Sequence, residues 1–339
     1  MRLILRIVVG LVLALAVALV TCWVALAFWY RLPLPDAGRI AAAVLFGLLG
    51  LATIAGLFFR WRLRMLAVFI AAFVAVLVWW NTIRPPADAD WSPDVANQVT
   101  GTLDGDLLTL TGVRDFEWRS LTDFTPRWTT RTYDLSRLEG LDMFMSYRSG
   151  PSIAHVIMSF GFEGGEFLAW SIEVRRPTGG AFSPVADLFK TNPLVIIAAE
   201  ERDVVGLRSN IRGEDVQIYR LRASPEAARA LLLEYVEDAN ALAARPRFYN
   251  SITTNCTTTI VKMIRAVGDP IPLDWQLLVN GYLPDYAYQQ GALDMSLPLE
   301  ELRALAHIDQ RAKAAGLLSA DFSQAIRAGV PTPPKRAAR

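Results

Sequence analysis

Apolar residues are not spread evenly along this chain. Three runs, residues 7–29, 40–59 and 65–80, are almost wholly apolar, and the pattern after them alternates or breaks. The first two are long enough to span a bilayer. The third is shorter but continuous, and it ends in Trp79-Trp80, a pair suited to an interfacial aromatic belt. A cleaved signal peptide would account for the first run only. The pattern therefore predicts a membrane region over 1–84 with three transmembrane helices. A large domain over 85–331 follows, then a short Pro- and Arg-containing tail over 332–339 that is expected to be disordered. Arg2, Arg6, Arg60, Arg62 and Arg64 lie on one side of the spans. Arg31, Arg39 and Arg84 lie on the other, diluted by Asp36, Asp88 and Asp90. That bias places the N-terminus inside. The expected location is a bacterial inner membrane, crossed several times, with the C-terminal domain in the periplasm.

Within the domain the period changes to two. Residues 81–92, with Pro85-Pro86 and then Pro93, read as a linker. Short strands are expected over 107–111, 116–118, 131–134 and 143–147. Ala154–Phe162 and Glu166–Val174 alternate around Glu163-Gly164-Gly165 and predict a β-hairpin. Pairing Phe162 with Glu166 sets Phe160 opposite Leu168, Met158 opposite Trp170 and Val156 opposite Ile172, which gathers one apolar face. The same register puts His155 across from Glu173, with Ser159 and Ser171 on their face. Further strands are expected over Leu194–Ala199 and 216–221. Pro225–Ala244 reads as an amphipathic helix stopped by Arg245-Pro246. A second helix starts at Cys256 behind Thr254 or Asn255 and runs to about Val267, with Gly268 as its stop signal. A single helix over 299–315 and a short one over 321–328 complete the reading.

Charge narrows the function. The chain has 34 Lys and Arg against 33 Asp and Glu, a net charge of +1, and its basic residues form no stripe. No nucleic-acid partner is expected. Hydrophobic residues make up 53% of its 339 residues, and the excess falls in the first 80. The ~250 that remain can bury a full core. Two histidines far apart and one cysteine outside the apolar runs give no zinc spacing, so no metal is expected. No phosphate-binding loop, dinucleotide fingerprint or Gly-x-Ser-x-Gly elbow occurs, and no cofactor is expected.

Cys256 is the informative residue. A thiol in the first turn of a helix meets the positive end of the dipole and free amide groups, which favour the thiolate. The neighbouring imidazole that such a nucleophile needs can come from His155, and Glu173 is placed to orient it. Asn255 is either the helix cap or a donor to an oxyanion, with the cap favoured. Arg175, Arg176 and Arg202 are candidates to face an anionic headgroup. Trp170, Phe248 and Tyr249 would permit an apolar channel near the thiol. Glu200 to Asp203 reads as a solvated charge cluster, and His307 as a surface residue.

Several separated motifs then agree in order: His155 with Ser159-Phe160-Gly161-Phe162, Ser171-Ile172-Glu173-Val174-Arg175-Arg176, Glu201-Arg202-Asp203, Phe248-Tyr249-Asn250, Asn255-Cys256-Thr257-Thr258 and Asp321-Phe322-Ser323. Together they resemble the domain found as the N-terminal periplasmic part of Lnb-type lipoprotein N-acyltransferases. The resemblance implies an α+β, permuted papain-like, NlpC/P60-related fold with the histidine strand before the cysteine helix. It matches Cys256 to the nucleophile and His155 to the base, and it does not assign Glu173. Lnb-type enzymes carry their spans after this domain, whereas here three precede it. The membrane setting therefore carries over more readily than the lipoprotein substrate.

The expected function is a membrane-anchored, cysteine-dependent acyltransferase or hydrolase acting through a Cys256 thioester. Its expected partners are membrane lipids, with a lipoprotein amine as acceptor. The alternatives are an amidase acting on cell-wall peptide with the same two residues, or a non-catalytic tethered binding module. An apolar channel would favour the first and an open polar groove the second. A wide separation of His155 and Cys256 would favour the third.

Overall fold

The computed structural model describes residues 2–86, 88–148, 150–266, 272 and 274–334, which divide into two compact units. The first joins Met1–Pro86 to Ser183–Asn192. Its three helices are α1 (Arg2–Arg31), α2 (Asp36–Gly56) and α3 (Arg62–Thr82). All three are long and apolar enough to cross a membrane, with mean hydropathies of 2.8, 1.9 and 2.3 over their spans. Val17, Val24, Phe46, Phe69 and Val76 form their shared core. A Cβ on Gly50 would meet Thr21 Oγ1 at 2.3 Å, so the small residue lets α1 and α2 approach closely. Outward side chains such as Leu11, Leu45 and Val78 stay exposed and apolar, as lipid-facing positions require. The segment Ser183–Asn192 adds Phe189, stacked on Tyr30 at 5.4 Å and packed on Trp23 and Trp80. Lys190 lies 4.7 Å over the Trp80 ring and donates to its carbonyl at 2.7 Å.

The second unit, Ala87–Phe182 with Pro193–Arg339, is a mixed α/β domain around an eight-stranded sheet. Its strands are β1 (Thr100–Asp104), β2 (Leu107–Arg114), β3 (Glu117–Trp118), β4 (Phe124–Thr125), β5 (Trp128–Asp134), β6 (Leu138–Tyr147), β7 (Ala154–Phe162), β8 (Glu166–Val174), β9 (Leu194–Ala199) and β10 (Asp215–Leu221). The sheet order is β1-β2-β9-β8-β7-β6-β10, with β5 also on β2, while β3 and β4 pair separately. Its helices are α4 (Glu201–Gly206), α5 (Pro225–Ala244), α6 (Cys256–Ala266), α7 (Leu283–Gln289), α8 (Leu299–Ala306), α9 (Asp309–Ala315) and α10 (Phe322–Ile326). Val267 and Gly268, the expected end of α6, lie outside the described residues.

The hairpin forms in the register that its alternation predicts. Phe162 faces Glu166, Phe160 faces Leu168 and Met158 faces Trp170, and the ladder ends at Ile157 and Ser171. Beyond that point β8 stays with β9, pairing Glu173 with Val195, and β7 stays with β6, pairing His155 with Ser146. The face with Met158, Phe160 and Trp170 is sealed by Leu231, Tyr235 and Ala239 of α5. The opposite face is covered too: Ile157, Ala169 and Ile197 pack on Val204, Ala312 and Phe322 from α4, α9 and α10.

That second cover corrects three expectations. Glu201 and Asp203 are not solvated; they are 1% and 0% exposed. Asp203 accepts from Arg114 at 2.9 and 3.0 Å, from the Phe116 amide at 2.9 Å and from Trp118 Nε1 at 2.7 Å. Glu201 accepts from Arg327 at 2.6 and 2.7 Å and from Ser159 at 2.5 Å. Residues 299–315 form two helices, because Ile308 donates to Val216 at 2.9 Å and His307 bridges Gln217 on the edge strand β10. Satisfying that edge outweighs one helical turn. In the expected tail, Pro333 is buried and Thr332 accepts from Arg220 at 2.8 Å; residues 335–339 lie outside the described residues.

Removing Asp203 strands a buried guanidinium. Asp203→Ala is expected to cost about 3–5 kcal/mol, read by chemical denaturation of the detergent-solubilised chain. A loss below about 1 kcal/mol, the scale of an exposed pair, would contradict the burial argument.

Candidate functional site

The loop ahead of α6 delivers Cys256. Asn250 Oδ1 accepts from the amides of Ile252 and Thr253 at 3.0 and 2.9 Å, and Asn250 and Thr254 exchange backbone bonds at 3.2 and 3.0 Å. Asn255 Oδ1 then accepts from the Thr258 amide at 2.9 Å, while Thr258 Oγ1 accepts from the Asn255 amide at 2.9 Å. This reciprocal cap satisfies two donors that a helix start leaves open. The Asn255 side-chain amide donates to the Ser251 carbonyl at 2.8 Å, so both ends of this side chain hold the turn and cap of α6. The thiol itself is 6% exposed and shares the inner stripe of α6 with Ile260 and Met263.

His155 arrives from the open end of the β7–β8 ladder. Its Nε2 lies 2.7 Å from Ser171 Oγ and 3.2 Å from Glu173 Oε1, and Ser171 donates to the same carboxylate at 2.7 Å. With Nε2 so engaged, Nδ1 is the ring nitrogen available to the thiol. Glu173 also accepts from Arg208 at 2.8 Å. Arg208 donates in turn to Glu214 at 3.2 Å, and Glu214 accepts from Ser146. Arg208 sits on a π-helical turn, Leu207–Ile211, a distortion that recurs at functional sites.

The charges shift as this wiring requires. Burial and the Arg208 guanidinium push the His155 pKa down. The Glu173 carboxylate and hydrogen bonds to Cys256 and Glu173 outweigh them, so the imidazolium is held above its ordinary range. Burial pushes Glu173 up, but His155 and Arg208 hold it well below the usual carboxylate range. Burial also pushes the Cys256 thiol up. Its hydrogen bond with His155, the imidazolium charge and the Val156 amide bring it below the ordinary value. An acid whose pKa falls beside a base whose pKa rises is biased toward the thiolate–imidazolium pair.

Sequence reasoning missed Ser146, Arg208, Glu214, Thr257 and Asn280. Asn280 Nδ2 lies 2.8 Å from Thr257 Oγ1 and 3.9 Å from Cys256 Sγ. The pairing of His155 with Ser146 could have been read from the alternation of residues 143–147. Arg208 and Asn280 lie in segments without a periodic signal.

The remaining candidates lie with other partners. Arg175 donates to the Val95 carbonyl at 3.3 Å and lies 4.7 Å over the Trp91 ring. Arg202 pairs with Asp115, and Arg176 grips Asp94 at 2.7 and 2.8 Å. Tyr249 is buried, edge-on to Phe182 at 6.3 Å. His307 is exposed, 2.6 Å from Asp215. With Asp309 these two bring potential ligand atoms within 4.8 Å of one another.

Residues 124–281 match the family model described as the Lnb N-terminal periplasmic domain. The resemblance is thus borne out over this stretch, which contains His155, Glu173, Cys256 and Asn280, while the Asp321-Phe322-Ser323 motif lies beyond it. No curated protein and no solved structure matches the chain.

The pH dependence of Cys256 alkylation checks the electrostatics. In the wild type the rate should rise through a midpoint below the ordinary thiol range, because the folded thiol pKa is lowered. In His155→Ala the midpoint should move up toward that range. Equal midpoints in the two proteins would contradict the pairing.

Proposed function

We propose that this protein is a membrane-anchored cysteine acyltransferase or hydrolase whose acyl donor is a lipid ester, working on the outer face of the membrane with the permuted papain-like order of base strand and nucleophile helix. The observation that carries the reading is the placement of Cys256 at the capped start of α6 with His155 and Glu173 next to it. A groove of about 620 Å³ runs along the opposite face of α6, starting at Thr257 and Thr258. Val261, Trp275, Leu277 and Leu278 line it, with Lys262, Arg265 and Asp274 as its charged residues. Its size is that of a small-molecule site. Its apolar walls suit an acyl chain better than a polar stem peptide.

The chemistry follows from the pair. The Cys256 thiolate attacks the ester carbonyl carbon, and a backbone amide at the start of α6 donates to the oxyanion. The bond to the leaving oxygen breaks, His155 gives that oxygen its proton, and a thioester remains. An amine or water then attacks the thioester, His155 takes its proton, and the thiolate leaves. Glu173 keeps the imidazole oriented and stabilises it when charged. A lipoprotein amine fits the acceptor role in this setting.

Incubation of the detergent-purified chain with phospholipid vesicles should add a fatty-acyl mass to Cys256 that hydroxylamine removes. Cys256→Ser should form none, and His155→Ala roughly a hundredfold less. Leu278→Arg, which puts a charge in the groove, should lower adduct formation about tenfold, equivalent to losing about 1.4 kcal/mol of acyl contact, with alkylation of Cys256 unchanged. Release of cell-wall peptides with no adduct would point to the amidase instead. Absence of both adduct and thiol labelling would leave a binding module.

A further inference from the structure

Asn280 lies outside every element that the sequence predicts, yet it is 7% exposed and its whole amide is used. Oδ1 accepts from the Ala154 amide at 3.0 Å, and Nδ2 donates to the Ala154 carbonyl at 2.7 Å and to Thr257 Oγ1 at 2.8 Å. Ala154 immediately precedes His155, and Thr257 immediately follows Cys256. On one side Ala154 pairs with Tyr147 of β6. On the other, where the ladder to β8 has already ended, the Asn280 side chain takes the place of a partner strand.

The backbone around Asn280 is fixed as tightly. The Gly281 amide donates to the Ser152 carbonyl at 3.0 Å, and the Tyr147 hydroxyl donates to the Gly281 carbonyl at 2.8 Å. A Cβ at Gly281 would lie 1.9 Å from the Pro151 carbonyl oxygen, which cannot yield because it is backbone. Glycine is thus required for the turn to approach this closely.

We propose that Asn280 is a positioning residue: it clamps the end of the base strand to the first turn of the nucleophile helix and so sets the distance between His155 and Cys256. The proposal rests on reading those two residues as a working pair. An amide has two N–H hydrogens. Nδ2 lies 2.7 and 2.8 Å from the Ala154 and Thr257 oxygens but 3.9 Å from Cys256 Sγ, so its two hydrogens go to the near oxygens and Asn280 acts on the thiol chiefly through His155.

The test is the pH profile of Cys256 alkylation by iodoacetamide in the full-length, detergent-solubilised protein, which needs no substrate. Asn280→Ala should move the midpoint up and lower the rate at neutral pH roughly tenfold. Asn280→Ser, a milder change that stays folded if the alanine variant does not, should shift it in the same direction by less. In a His155→Ala background neither substitution should shift the profile further, since the group being positioned is gone. An unchanged profile with only a lower melting temperature makes Asn280 structural and overturns the proposal. An equal shift in both backgrounds also overturns it, because the amide then acts on the thiol directly. A wild-type thiol with an ordinary profile contradicts the pair itself, and the clamp falls with it.

Discussion

The site depends on where one ladder stops. β7 and β8 pair from Phe162 and Glu166 only as far as Ile157 and Ser171, and each strand then continues with its other neighbour. A fully zipped hairpin would bury its edges in backbone hydrogen bonds. Alternation sets His155, Ser171 and Glu173 on a common face with side chains in reach, and the opening frees the edge of Ala154 for Asn280. The N-terminus of α6 comes to that opening, where the Val156 amide and the His155 ring both lower the Cys256 pKa. Strand pairing therefore shapes the site, because it fixes which backbone groups are left for side chains to use.

Charges in such a place are costly unless each has a partner. Glu173 is held by His155 and Arg208, and Arg208 is shared with Glu214. The same rule runs through the second face of the sheet. Arg327 joins Glu201 to Asp142, and Arg114 serves Asp203. Each guanidinium reaches across sequence-distant elements, so these pairs tie α4 and α10 to the strands that carry the site. A buried, paired charge is a poor source of net stability but a strict constraint on geometry, since breaking one pair strands the other partner.

How much of this was legible in the residues differs from element to element. Alternation over Ala154–Phe162 and Glu166–Val174 contains the register, because a one-residue slip would mix apolar and polar faces. The capped start of α6 is written in Asn255-Cys256-Thr257-Thr258, and the three spans in their unbroken apolar runs. Glu201 and Asp203 were misread as solvated because their partners, Arg327 and Arg114, are remote in sequence and carry no local mark. The break at His307 and Ile308 was hidden because the helical pattern over 299–315 is continuous, and only the open edge of β10 interrupts it. Asn280 was invisible for a related reason. A single Asn-Gly-Tyr has no period, and its importance arises only when Ala154 and Thr257 meet around it.

The most direct measurement of the central claim is the titration of His155 by NMR of its ring carbons, in a protein with only two histidines to assign. The carboxylate of Glu173 and the thiol of Cys256 should hold its pKa above the ordinary histidine value, and Glu173→Gln should bring it down. Protonation of His155 should then persist as pH rises past the point where an ordinary histidine has lost its charge, which is the sign expected of a raised pKa. A His155 that titrates at or below the ordinary value in the wild type, or one indifferent to Glu173→Gln, would contradict the carboxylate-held imidazolium on which the account of Cys256 rests.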